Sequence, residues 1–409
     1  MFVLVDPVST GRALGIAFRE EGADTLHLYQ ENLRAAYDAD QVPTRKLMHE
    51  DLDKTVELLE QLKPEAVIAA SEFGVILADT LARRLGLAHH RPEQAAARRD
   101  KHLMVRALEE AGVPAARTVS VRSAQELEAA LADWTDFPVM VKPLNSAGSD
   151  GCQVCGTAEE VRGAYRRIAD DLNLMGLVND EVLVQEFLKG TQYIVNTVSI
   201  DGRHLVCDVY AERIDLVDGA PVLRHIISRP ELTEPESALV AYVLDCLDAL
   251  GIREGAGHTE VMLTPRGARL VEVNSRVMGP SLAPDPYHAA YGYSHQHLVV
   301  ERYLRPAEFE ARFDRPYGGR QTVAKLFLRS RRQGPLRAVD GLRTLRRLPG
   351  FHSIDRLPAI GEPIGDRGLT TGEGGIAYLV HTDADVLTRS LDAVHALEDA
   401  ETFFRVEEA

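Results

Sequence analysis

Residues Val139 to Gly151 read VMVKPLNSAGSDG. A run of strand type delivers Lys142 to its exit, and a small, polar, glycine-punctuated loop follows. A lysine at the end of a buried apolar run is costly unless an anion partners it. The loop's two glycines, two serines and one alanine let backbone N–H groups close on that same anion. No G-x-x-x-x-G-K-[ST] is present and the lysine precedes the loop, so this is not a Walker A motif. Gly148-Ser-Asp-Gly151 lacks the spacing of a dinucleotide fingerprint. Taken alone, the stretch also fits a hairpin loop after a snorkelling lysine.

A second feature gives the anion a context. LVEVNSR (270–276) sets Glu272 and Asn274 two apart on a strand, so both side chains face one way. A turn at Pro265-Arg266-Gly267 folds Glu260 onto the neighbouring strand, within reach of that face. Two carboxylates and an amide oxygen suit Mg²⁺ that completes its shell with water and substrate phosphates. The alternative is a solvated acidic face on an antiparallel strand. A third stretch, VLVQEFLKGTQY (182–193), is an apolar strand entering a polar kink whose backbone can read an adenine edge.

The rest of the chain bounds these features. At 409 residues it exceeds what one ordinary core fills, so two or three domains are expected. A net charge of −16 argues against a nucleic-acid or anionic-membrane surface. No run approaches the length of a membrane span, and the start MFVLVDPVSTGR lacks a basic n-region. Four cysteines make no disulfide framework, which points to a reducing cytoplasm. Strands at 2–7, 25–30 and 66–71 alternate with helices over 1–90, the pattern of a doubly wound α/β domain. A polar junction at 89–101 follows. Beyond it come α+β patterns with hairpins turning at Asp201-Gly202 and at 265–267.

In this order and spacing, Lys101 at a helix start, FPVMVKP with its loop, QEFLKGTQY, and EVML…LVEVNSR resemble the ATP-grasp superfamily over nearly the whole chain. GTQYIVNTVSIDG, GHTEVMLTPRG and LVEVNSRVMG are most similar to its L-amino acid ligases, the dipeptide synthetases. The resemblance implies a Rossmann-like domain at 1–97, a nucleotide-binding region at 98–300 with a small subdomain near 115–188, and a C-terminal lid at 301–409. It implies an ADP-forming ligase that joins a carboxylate to an amine through an acyl phosphate. Another ATP-grasp reaction, such as a carboxylation, and a non-catalytic ATP-binding protein stay open beside it.

The residue roles follow from that resemblance. Lys101 and Lys142 match phosphate-binding lysines, and Ser146, Gly148, Ser149 and Gly151 belong to the loop over the β- and γ-phosphates. Gln185, Glu186, Phe187 and Leu188 line the adenine hinge, with Gln192 at the ribose. Glu260, Glu272 and Asn274 match ligands of Mg²⁺, for which Mn²⁺ can substitute. Arg276 matches the arginine that holds the substrate carboxylate and the acyl phosphate. Glutamine at 192, where glutamate is usual, loses a charge-assisted bond. The implied partners are small-molecule acids and amines, with a homodimer allowed.

Other residues carry competing readings. His258 sits two before Glu260, placed to touch substrate or take an ammonium proton, or to be a structural histidine. Glu72 ends a parallel strand, where an amine substrate could approach. Ser9 reads as the cap of the first helix. Cys152-Gln-Val-Cys155 has no second pair at zinc spacing and sits in a strand, so it reads as coincidence. Seven arginines from Arg329 to Arg347 read as a solvated face or an oligomer contact rather than a nucleic-acid site.

Overall fold

Phe2–Val5 (β1) is buried along its whole length, as befits the centre of a parallel sheet. The structure, a computed structural model, describes residues 1–146, 150–173, 176–217, 220–280, 282–364 and 374–407. After β1 come Thr10–Glu20 (α1), Thr25–Gln30 (β2), Arg34–Ala39 (α2), Arg45–His49 (β3), Leu52–Leu62 (α3), Ala66–Ala69 (β4) and Val75–Arg84 (α4). The strands form a parallel sheet in the order β3-β2-β1-β4. Strand β3, RKLMH, has no apolar run, and only its edge position explains it. Because the strand order reverses between β1 and β4, the turns after these two strands flank a crevice. Gly11 and Gly74 let those turns close: a Cβ on Gly11 would lie 2.2 Å from the Ala70 carbonyl oxygen.

The junction ends at Asp100, whose carboxylate accepts from the amides of His102 and Leu103 and so caps Lys101–Glu110 (α5). Next come Thr118–Val121 (β5), Ala124–Ala132 (α6), Val139–Pro143 (β6), Gln153–Cys155 (β7), Ala158–Ile168 (α7) and Val182–Glu186 (β8). They form a four-stranded antiparallel sheet, β5-β8-β6-β7. Val139, Val141, Val182 and Val184 alternate inward onto Leu127 and Val161.

Thr191–Ile200 (β9), Arg203–Val217 (β10), Ala220–Ser228 (β11), Glu234–Ala249 (α8), Gly255–Thr264 (β12) and Gly267–Asn274 (β13) build the largest sheet. Its order is β13-β12-β9-β10-β11, continued by Thr322–Phe327, Ile376–His381 and Phe351–Arg356. Both hairpin turns fall where the sequence puts them. Helix α8 covers one face through Leu239, Val243 and Leu247 against Val195, Val209 and Val261. The N-terminal sheet shares a core with the large one, Phe2, Leu4 and Phe18 meeting Val198, Ile200 and Leu298. The uncovered face of the large sheet therefore looks onto both smaller sheets. Several arginines of the C-terminal region are spent within the chain: Arg332 pairs with Glu401 at 2.6 Å, Arg331 with Asp399 and Arg337 with Glu407. Among the described residues no helix is long and apolar enough to cross a membrane.

Gly190, in the turn from β8 to β9, fixes how the small sheet sits over the large one, because a Cβ there would lie 2.0 Å from the Leu263 carbonyl oxygen. Gly190→Ala is expected to destabilise by about 1–3 kcal/mol through overpacking. Gly163→Ala, inside α7 and free of backbone contact, should stabilise by roughly 0.5–1 kcal/mol. Urea midpoints that move the same way for both would refute this account of the turn.

Candidate active site

Glu260 and Glu272 stand directly opposite each other on β12 and β13. One step along the same face lies a second row, Asn274, His258, Asn196 and Asp208, each opposed to the next across β13, β12, β9 and β10. Like charges directly opposite repel, so the first row needs cations. Lys101, opening α5, reaches Glu272 at 3.0 Å and donates to the Ser146 carbonyl at 2.9 Å. Burial alone would raise the Glu272 carboxyl, but Lys101, Asn274 and Arg276 together hold it below the usual range. Asn274 Nδ2 donates to Glu272 Oε1 at 3.0 Å, and Gln192 Nε2 donates to Glu260 Oε2 at 3.0 Å.

In the second row, Asn196 Nδ2 donates to Asp208 at 2.6 Å, which turns Asn196 Oδ1 toward His258 Nδ1, 2.9 Å away. An amide oxygen only accepts, so His258 carries its proton on Nδ1 and offers the Nε2 lone pair. Nε2 lies 3.6 Å from Glu260 Oε1. Burial lowers the His258 pKa, which favours the neutral ring.

Lys101, Gln192, His258, Glu260 and Glu272 line one cavity of about 380 Å³, bounded by the N-terminal sheet, the small antiparallel sheet and the large sheet. Lys142 enters from β6, buried, with Nζ donating to Gln185 Oε1 at 3.0 Å; burial pushes its pKa down. Arg276 enters after β13. Its Nε donates to Glu72, its Nη1 donates to the Val277 carbonyl at 2.9 Å, and Arg99 takes the other Glu72 oxygen. Glu72 thus serves two arginines and does not stand open to an amine.

The structure gathers Lys101, Lys142, Ser146, Gln192, His258, Glu260, Glu272 and Arg276 around the cavity, with Asn274 beside it. Gly151, at φ 66°, closes the loop over the Pro143 ring. Gly148 and Ser149 lie outside the described residues. The hinge residues sit apart from this cavity: Glu186 pairs with Arg266 at 3.0 Å, Phe187 is half-buried and Leu188 buried. Gln185, expected at the adenine hinge, turns its side chain to Lys142 and to Thr118 Oγ1 at 2.8 Å. Gln192, read as a ribose ligand, points to Glu260. Ser9 stands at the N-cap of α1 but makes no capping hydrogen bond. Cys152 lines the cavity as a thiol, its pKa pushed up by burial to about 11.

Sequence reasoning missed Arg99 and Glu212. Glu212 lies on β10 beside Gln192, and its Oε2 is buried without a partner. Burial, with the charge of Glu260, raises its pKa well above the usual carboxylate range. Its face is set by a bulge: Val206 pairs with Thr197 but Asp208 pairs with Asn196, which leaves Cys207 extra. An unbroken ladder would have set Ala211 beside Gln192 and turned Glu212 away.

Residues 135–285 match the family model for the ATP-grasp domain. Dapdiamide A synthase of Enterobacter agglomerans is 31% identical over 341 residues, 80% of this chain and 79% of that protein. Among solved structures, the L-amino acid ligase of Bacillus licheniformis superposes with a TM-score of 0.77 at 17% identity, covering 100% of this chain and 98% of that one. N5-carboxyaminoimidazole ribonucleotide synthetase of Thermotoga maritima gives 0.68 at 15% identity, covering 100% and 99%. The fold, the cavity and the relative agree: the chain belongs to the ATP-grasp family. It is an ATP-dependent, ADP-forming carbon–nitrogen ligase.

Lys142 is a buried cation whose hydrogen-bond partner is a neutral amide, a costly arrangement for the protein alone. Lys142→Met should therefore raise the unfolding midpoint of the nucleotide-free protein, by about 1 kcal/mol or more. It should also remove the stabilisation that ATP gives the native chain. Thermal-shift titration reads both, and a destabilised variant that keeps its ATP response would contradict the phosphate role.

Proposed function

We propose that the protein activates the carboxylate of an amino acid with ATP and couples it to an amine, forming a dipeptide or amide bond. The observation that carries this is the pairing, in one cavity, of Arg276 and two lysines with the carboxyl of Glu212, which bonds Gln192 and leaves its Oε2 buried without a hydrogen-bond partner. Arg276 holds the substrate carboxylate and Glu212 its ammonium, the cation that a buried carboxylate requires. Ile194, Ile214, Leu223 and Phe327 supply an apolar wall for a side chain. The similarity to dapdiamide A synthase and to an L-amino acid ligase supports the same class.

In the first step the carboxylate oxygen attacks the γ-phosphate, giving an acyl phosphate and ADP. Lys101 and Lys142 orient the phosphates and stabilise the charge that gathers on them. The amine then attacks the carbonyl carbon, phosphate leaves, and His258 Nε2 accepts the proton that the attacking nitrogen loses. Glu260, Glu272 and Asn274 fit Mg²⁺, with Mn²⁺ as substitute. Two carboxylates and an amide oxygen are hard-oxygen donors of the kind that hold an ion completing its shell with water and phosphate. When bound, it screens the negative charge of the phosphates. All four cysteines are unpaired, which supports a cytoplasmic setting, and a homodimer is the assembly that the family resemblance allows.

Incubation with Mg²⁺, ATP and pooled amino acids should yield ADP, phosphate and a new amide mass. AMP and pyrophosphate would sink the acyl-phosphate route. Arg276→Ala should lower kcat by about 10²–10³, with KM for ATP little changed. Unchanged turnover would remove Arg276 from the mechanism.

A further inference from the structure

The cavity extends past the charged centre to the crevice between β1 and β4, where Ser9, Thr10, Ser71 and Glu72 form its wall. Ligands of open α/β sheets bind where strand order reverses, outside the carboxyl ends of the strands. Here that position coincides with the start of α1, eleven residues long, whose dipole favours an anion, although the Gly11 and Arg12 amides already donate to the Val8 and Ser9 carbonyls. A second observation points the same way. Thr10 and Ser71, 3% and 8% exposed, each carry a buried hydroxyl with no hydrogen-bond partner. Orphaned hydroxyls are uncommon and costly to bury. Gly11 lets the start of α1 pack against the turn that carries Ser71, since a Cβ there would strike the Ala70 carbonyl.

The surrounding charge is compatible with an anion. Glu72 is covered by Arg99 and Arg276. Asp6 is turned the other way, its carboxylate taken up by the Gln30 amide at 2.8 Å and the Gln30 side chain at 2.5 Å.

We propose that the turns after β1 and β4 form an anion subsite, built from the hydroxyls of Thr10 and Ser71 at the positive end of the α1 dipole, for the carboxylate of the amine-donating substrate. The acceptor is then itself an amino acid and the product a dipeptide, not the amide of a simple amine. The inference rests on the ligase function proposed above. It assigns the N-terminal sheet to acceptor recognition and leaves donor activation to the two other sheets.

The test supplies Mg²⁺, ATP and a pool of amino acids, either alone or with an equimolar pool of amino acid amides, which serve as acceptors only. The native enzyme should form dipeptide acids over dipeptide amides by about ten- to a hundredfold, the value of hydrogen bonds to a charged group. Thr10→Val with Ser71→Ala should bring that ratio close to one while KM for ATP holds. Ser71→Ala alone, which removes one oxygen from a turn, serves if the double variant does not fold, and should lower the ratio severalfold. Equal use of amides by the native enzyme, or variants that keep the native ratio, would overturn the subsite. Absence of ADP with either pool would count against the ligase function itself. Thermal shift with glycine and glycinamide then decides the subsite alone. Stabilisation by glycine only, lost in the variants, sustains it; no difference between the two probes overturns it.

Discussion

Two carboxylates facing each other across β12 and β13 are the constraint around which the rest of the site is arranged. Such a pair survives in a part-buried position only if cations are brought to it. Lys101 does this from α5, and its second bond, to the Ser146 carbonyl, ties the phosphate loop to the same point. Asp100 fixes where α5 begins and so where Lys101 projects. Three elements far apart in sequence are thereby held by one ammonium group.

A common device recurs through the cavity. Lys142 is met by the neutral Gln185, Glu260 by the neutral Gln192, and Arg276 shares Glu72 with Arg99. None of these three charges is matched one to one by an opposite charge of its own. Each is solvated well enough to be buried, by partners that leave its charge without a counter-charge of its own. The two glutamines that depart from the family's usual glutamate acquire a physical sense in this light. A glutamate at 185 would neutralise Lys142 outright, and one at 192 would add a second negative charge beside Glu260 and further disfavour ionisation of Glu212.

Much of this was readable in the residues. Both hairpin turns, the parallel character of the first sheet, Lys142 at a strand exit and the shared face of Glu272 and Asn274 all follow from local rules of period and turn chemistry. What escaped has a specific cause in each case. Strand β3 has no apolar run because it is an edge. Glu212 was hidden by the bulge at Cys207, which reverses the face of every later residue on β10 and leaves no mark in the sequence. Arg99 lay in a polar junction, where nothing local says that Glu72, from another sheet, will meet it. The side-chain directions of Gln185 and Gln192 depend on charges brought from other strands.

The Glu72 contact bears on how the N-terminal sheet takes part in chemistry. Arg276 presents one edge to Glu72 and donates Nη1 to the Val277 carbonyl, so the direction of its guanidinium is set from outside the sheet that carries it. Glu72 occupies the turn after β4, adjacent to Ser71, and that turn can approach only because Gly74 has no Cβ to strike the Val5 carbonyl, 2.4 Å away. A shift of the N-terminal sheet against the large one would therefore move Arg276 and the hydroxyls at the crevice together. The core shared by Phe2, Leu4, Val198 and Ile200 opposes such a shift. Packing at that core, remote from any charge, is thus what keeps Arg276 and the wall of the crevice in register.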